Sequence, residues 1–313
     1  MLTREGLHWV LRELGSRFGS RPHEVLGRFR VPILCLFLTL SSAAGPLSER
    51  VLFVAPHYGL KKIYICRPDG KDLRRFCKVP GDQTEPSYSE KLHRVYFVRF
   101  TNRFSQIYSV DHDGRDLRVE LALRANTRNP DVSPDGKTLL FSTDMWGAFE
   151  LAELDLESQS IERLTFDQGI NTHPRYSPDG RSILYLSRRN GASQIYLFNR
   201  QDRAMHLLVD TPFSKGAPAW NPAGTRIVAT EATPPRFRSK LFELDLETKK
   251  KRFLLPKKRI ITAPGYSADG TQILFIDQEQ LFTFDTADTT AQLFPLKGDL
   301  DPIDAIWVSF PLP

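Results

Sequence analysis

Three residues capable of acid–base chemistry stand directly before a proline: Glu85, His173 and Asp301. Two carboxylates and an imidazole could move protons or hold a cation if the fold made them converge. Other motifs of catalysis are missing from the sequence. There is no G-x-S-x-G, no H-E-x-x-H, no C-x-x-C and no phosphate-binding loop. The segment Asp111–Asp116, "DHDGRD", has the residue types of a calcium loop but lacks the twelve-residue ligand spacing. Asp bonding its own backbone, with Gly at positive φ, explains it as a hairpin turn. Whether any of these residues meet depends on the elements that carry them.

Those elements repeat. Pro86, Pro130, Pro174, Pro218 and Pro264 open the related segments "PSYSEKLHRVYFV", "PDVSPDGKTLLFS", "PRYSPDGRSILYL", "PAWNPAGTRIVAT" and "PGYSADGTQILFI", at steps of 44, 44, 44 and 46. Ile63, Ile107, Leu151, Ile195, Leu241 and Leu281 begin a second set of β-rich runs in the same phase. Each unit reads as four short strands, A to D. Strand A leads through a Pro-Asp-Gly turn to strand B, where Pro presets φ and Gly accepts the positive φ that such a turn needs. Strands C and D follow through further hairpin turns. Short strands at regular spacing, without helical periodicity, point to an all-β propeller.

Six copies of the strand-C landmark imply six four-stranded blades. The chain enters the first blade at its strand B, Arg50–Ala55, and Asp301–Phe310 falls where a further strand A is due. The C-terminal strand is therefore expected to complete the first blade, with Ile306 and Trp307 buried between blades. Such closure covers the sheet edges that an open array would leave free.

In this arrangement the B–C and D–A loops open together on one face of the ring. They carry Arg and aromatic residues of the kind enriched in binding hot spots. The candidate ligand or partner face comprises Glu85, Arg99, Arg103, Asn126, Arg128, Trp146, Asn171, His173, Arg188, Arg189 and Asp301. The histidines His57, His93, His112, His173 and His206 fall on different loops and strands of the repeat, so no metal site is expected. No cofactor is expected either.

The pattern P-x-[YFW]-S-P-D-G followed by a β-branched strand resembles the TolB-type, WD-repeat-like propeller family. Ser133–Gly136 and Ser177–Gly180 match it fully. Ser267–Gly270 has Ala in place of Pro, Asn221–Gly224 is looser and Ser89–Leu92 is degenerate. The resemblance spans residues 50–310. It implies the fold and an envelope-associated binding role. Ahead of Arg50 the sequence reads as signal-like, with no counterpart of the α/β domain that precedes the propeller in TolB itself.

Residues 1–44 read as an export signal with a long basic n-region, and residues 45–313 as the propeller. Val31–Ala44 is an apolar run of h-region length, shorter than the roughly 20 residues of a spanning helix. Ser42-Ala43-Ala44 offers small residues for cleavage, and an uncleaved anchor over 31–44 is the alternative. The whole chain carries a formal charge of +6, and setting aside six Arg and three Glu in residues 1–44 brings it near +3. That is too little to argue for a nucleic-acid partner. The tract Lys249–Arg259, "KKKRFLLPKKR", reads as an outer strand protected by charge, with a docking patch as the alternative. Cys66 and Cys77 take apolar slots of the repeat. They are expected to be unpaired core residues, on a C–D hairpin in which Cys66 faces about residue 71.

The expectation is an exported, periplasmic or secreted, non-enzymatic monomer that binds a protein, peptide or cell-envelope component on its B–C/D–A face. The alternative is a propeller lyase or hydrolase acting on saccharides at the channel mouth. Sequencing the N-terminus of the mature protein should find Gly45 first. Retention of residues 28–40 would contradict cleavage and favour the anchor.

Overall fold

The computed structural model describes residues 47–311 apart from 102, 167–168, 190, 234–237, 256–259 and 297–299. The chain divides into two units, Met1–Ala43 and Ala44–Pro313, and the described residues lie in the second. The expected export signal lies outside them. Among the described residues no helix is long and apolar enough to cross a membrane.

The second unit is a ring of six four-stranded antiparallel sheets. Blade 2 shows the pattern: strand A is Thr84–Ser89, B is Arg94–Phe100, C is Ser105–Asp111 and D is Arg118–Leu121. Blades 3 and 4 have A strands Thr127–Val132 and Ile170–Tyr176. In blades 5 and 6 strand A is Ala219–Trp220 and Ile261–Tyr266. Blade 1 is assembled from both ends of the unit. Leu47–His57, Leu60–Cys66 and Arg74–Arg75 supply B, C and D, and Asp304–Pro311 supplies A. The expected ring closure is present, with Val51 opposite Trp307 and Val54 opposite Asp304.

Alternation within each B strand explains how the blades adhere. Successive side chains point to opposite faces of a sheet, so one strand feeds two neighbours. Leu52 and Val54 join Val95 and Phe97 of blade 2, while Val51 and Phe53 join Leu274 and Ile276 of blade 6. The same division recurs at the other four interfaces, giving six apolar clusters between neighbouring blades. In the closing strand, Val308 and Phe310 are buried toward blade 2 and Ala305 toward blade 6. Ile306 and Trp307 differ from expectation. They are only partly buried, because the innermost strand turns one edge of these side chains to the axial cavity.

The Ser-Pro-Asp-Gly turns show why the repeat has that sequence. Ser177 Oγ donates to Asp179 Oδ1 and accepts from the Ser182 amide at 2.9 Å. Gly180 adopts φ 71°, and a Cβ there would press on the Pro134 ring, 3.3 Å away in the preceding blade's turn. Gly is thus required by conformation and by space.

Cys66 and Cys77 are free and buried, in two different clusters. Ile65 pairs with Arg74, so the C–D hairpin of blade 1 is offset by two residues from the expected register. In the tract beginning at Lys249, Lys251–Phe253 forms the outer strand of blade 5.

Candidate functional site

The A strands of blades 2, 3, 4 and 6 begin before their prolines, so several expected loop residues are strand residues. Glu85, Arg128, Asn171 and His173 all lie in innermost strands. Each of these strands shifts register at its proline: Thr84 pairs with Val98 but Ser87 with Tyr96, and the shift recurs after Arg128, Thr172 and Thr262. A bulge accommodates a residue that cannot donate to the ladder. The residue before the proline takes positive φ at Glu85 (54°), Asn129 (52°), His173 (54°) and Ala263 (47°). For non-Gly residues this conformation costs on the order of 1–3 kcal/mol each.

Part of that cost is offset by bonds between blades. Glu85 Oε2 accepts from the Asn129 amide at 2.7 Å, and Asn129 Oδ1 accepts from the His173 amide at 3.2 Å. The pre-proline side chain of one blade thus holds the pre-proline backbone of the next. Glu85 Oε1 also accepts from Arg128 Nε at 3.0 Å. One position beyond the proline the pattern continues: Asp131 Oδ2 accepts from the Tyr176 amide at 2.8 Å, and Arg175 Nη1 donates to the Pro130 carbonyl at 3.3 Å.

These residues line an axial cavity of about 750 Å³, together with Trp220, Tyr266, Asp304 and Trp307. Asp131, Arg175, Trp220, Tyr266, Ile306 and Trp307 also line a second cavity of about 510 Å³ among the A–B turns. They therefore stand where the two cavities meet. Burial raises the Asp131 and Asp304 carboxyls to about 6, with Arg175 opposing the rise at both and Glu85 adding to it at Asp304. Burial, then the Arg175 charge, lowers His173 to about 4, so its imidazole is neutral at pH 7. The cavity can present a neutral imidazole, an arginine and two carboxyls that titrate near neutrality. That is a set for polar recognition or proton exchange, walled by aromatic rings.

The remaining candidates form separate groups. Arg99 and Arg103 line an open pocket with Phe100, Phe104 and Arg124. Asn126 accepts from the Ser105 amide and donates to Asp144 Oδ2 at 2.6 Å, holding a D–A connection to two neighbouring strand ends. Asn171 is buried and donates to Glu150 Oε2, while Arg163 pairs with Glu150 at 3.1 Å and lies over Trp146. Glu150 is buried, so it needs these partners to hold its charge, and the cluster supports the loops. Arg188 is exposed, and Arg189 lies over the Tyr196 ring at 4.5 Å. Asp301 is exposed ahead of the closing strand, and Asp304, three residues on, lines the cavity in its place. Asp131, Arg175 and Asp304 were not among the sequence candidates. The available signal was position, since residues on both sides of a strand-A proline face the axis.

The face bearing these groups is distinguished by its exposed apolar side chains. Tyr58, Leu60, Phe100, Met145, Phe166, Ile170, Phe213, Ile260 and Ile303 all lie on B–C or D–A connections or the strand ends they join. Tyr58 is 95% exposed and Phe166 65%. Among the described residues, the opposite face of A–B and C–D turns has only Leu117 of this kind, at the end of a turn; the other exposed large apolar residues lie on outer D strands.

Residues 119–208 match the family model of the TolB beta propeller domain. Among solved structures, TolB from Acinetobacter baumannii is 22% identical with a TM-score of 0.71, over 84% of this chain and 67% of that one. A chain of a nidogen–laminin complex is 10% identical with a TM-score of 0.69, over 83% of this chain and 98% of that one. An oligogalacturonate lyase in complex with manganese is 15% identical with a TM-score of 0.56, over 80% and 74%. At these identities the likeness is one of fold. No curated protein matches the sequence.

The raised carboxyls generate a prediction. An acid whose folded pKa lies above its unfolded value makes the native state hold the extra proton, so stability falls as pH rises from about 4 through 6. Asp304→Asn should raise the melting temperature at pH 7.5, and the gain should shrink as pH falls toward 4. A lower melting temperature at pH 7.5 would show that the Asp304 charge stabilises the ring.

Proposed function

We propose that this TolB-type propeller is an exported binding module that docks a protein, peptide or cell-envelope component on its B–C/D–A face. One observation carries the reading: among the described residues, the apolar side chains exposed on loops gather on that face, around the mouth of the axial cavity, while the opposite face has almost none. Exposed apolar area of this kind marks interaction surfaces. Arg99, Arg103, Arg188 and Arg189 on the same side supply the polar rim of a typical interface. The rigid six-fold wall beneath it limits the ordering cost of binding to the loops. The likeness to TolB and to a chain from a protein–protein complex agrees with docking as the use of the fold. The apolar run before Gly45 supports export to the periplasm or beyond, with retention by 31–44 as the alternative.

A saccharide lyase or hydrolase is the second reading, favoured by the likeness to oligogalacturonate lyase and by the titratable groups around the axial cavity. Against it, Glu85 is committed to Arg128 and the Asn129 amide, and Asp301 lies outside the cavity lining.

Photo-crosslinking residues placed at Phe100, Met145 or Phe213 in the native envelope should capture one common partner. The same residue placed at Arg115 or Glu157, on the opposite face, should not. Equal capture from both faces would contradict the proposal.

A further inference from the structure

Several arginines in this ring are neutralised by acids. Arg94 meets Asp116 at 2.8 Å, Arg163 meets Glu150 at 3.1 Å, Arg200 meets Glu153 at 3.0 Å, and Arg128 meets Glu85. The end of blade 2 instead gathers three unpaired arginines in one place. Arg99, Arg103 and Arg124 line one open pocket of about 820 Å³ with Phe100, Thr101 and Phe104. Among the described residues these three arginines form no ion pair. Arg99 is held in place by stacking, its guanidinium carbon 4.6 Å from the Tyr108 ring centre, yet its Nε is buried without a hydrogen-bond partner. A buried charged donor without a partner is costly unless a ligand or ion completes it.

The excess of positive charge extends inward. The Arg99 guanidinium lies beside Gly81, whose carbonyl accepts from Lys62 Nζ. Lys62 is buried, and its amine also donates to the Val79 carbonyl at 3.1 Å. Burial, with the charges of Arg75 and Arg99, lowers the Lys62 pKa. Asp82 is the carboxylate within electrostatic reach of Lys62, and its Oδ1 is engaged by the Lys61 amide at 2.9 Å. Asp144, near the end of strand B of blade 3, is engaged by Asn126.

We propose that Arg99, Arg103 and Arg124 form a phosphate-binding pocket, with Arg99 as the ordered anchor and the two exposed arginines closing on the anion. Guanidinium forks match phosphate oxygens in pairs, and several arginines around one group suit a multiply charged tetrahedral anion. Phe100, 47% exposed at the pocket edge, offers apolar contact to whatever bears the phosphate. The chemistry is common to a soluble phosphorylated molecule and a phospholipid headgroup. It goes beyond the docking of a partner on this face.

The test uses the full chain, inorganic phosphate in titration calorimetry, and vesicles of phosphatidylglycerol or phosphatidylcholine in sedimentation. The variant Arg103→Gln/Arg124→Gln removes two exposed charges, and Lys249→Gln/Lys250→Gln makes the same charge change on a C–D turn of blade 5. Loss of phosphate binding by about tenfold or more in the first variant only is the expected result. Phosphate binding without preference for phosphatidylglycerol vesicles assigns a soluble ligand. Vesicle binding that depends on Arg103 and Arg124 assigns a headgroup, and residues 31–44 contribute equally to wild type and variant. The pocket is refuted if neither phosphate nor phosphatidylglycerol binds, or if binding is the same in the first variant as in wild type. An equal loss in both variants refutes it too, because that would be an effect of net charge. Because no partner is present in these measurements, they leave the docking proposal to its own test.

Discussion

The pairing of Asp304–Pro311 with Leu47–Val54 is the constraint on which the other features depend. A blade of this ring has no core of its own. Its apolar residues face the blades on either side, and each interface exists only if both neighbours are present. Five of those interfaces follow from neighbours in sequence. The sixth joins blade 1 to blade 6, and the closing strand places Ala305 and Trp307 in it. The same strand sends Val308 and Phe310 to the interface with blade 2. Without it, the B strand of blade 1 would present an unpaired apolar edge, the kind of edge that invites aggregation.

Closure also sets the geometry at the axis. Six innermost strands are drawn together, and proline bulges in four of them turn the flanking residues toward the centre. The pre-proline residues adopt a strained backbone, and the bonds from Glu85 to Asn129 and from Asn129 to His173 hold it from blade to blade. The axial residues are therefore partly structural, and their charges are largely committed. The outer ring of loops is different. There Arg99 has a buried Nε without a hydrogen-bond partner and large apolar side chains stand exposed, which is what a surface awaiting a ligand requires.

The sequence made the scaffold legible because its repeat is written in turn chemistry. Ser-Pro-Asp-Gly at positions 133–136 and 177–180 identifies a hairpin whatever surrounds it, and even spacing converts hairpins into blades. Closure was readable from Asp301–Phe310 as an unpartnered strand. Strand starts were not readable, since a proline ordinarily signals a break and here sits inside a bulged strand. For that reason the sequence reads Glu85 and His173 as loop residues and does not single out Asp131, Arg175 and Asp304. Asn126 and Asn171 show a second limit. Polar residues near a loop look like binding residues, but whether they face solvent or tie loops together depends on partners such as Asp144 and Glu150 from distant strands. Arg124 belongs to the same class, since only the fold brings it beside Arg99 and Arg103.

The central claim is that the ring is closed by its last strand. The most direct measurement is thermal unfolding of the chain ending at Leu300, compared with the full chain, with limited proteolysis of both. Loss of a whole strand and of two interfaces should remove the cooperative transition, or lower it far more than the ~1–2 kcal/mol of an ordinary point change. The shortened chain should also become protease-sensitive across blades 1 and 6. A cooperative transition at an unchanged temperature would contradict closure by Asp304–Pro311.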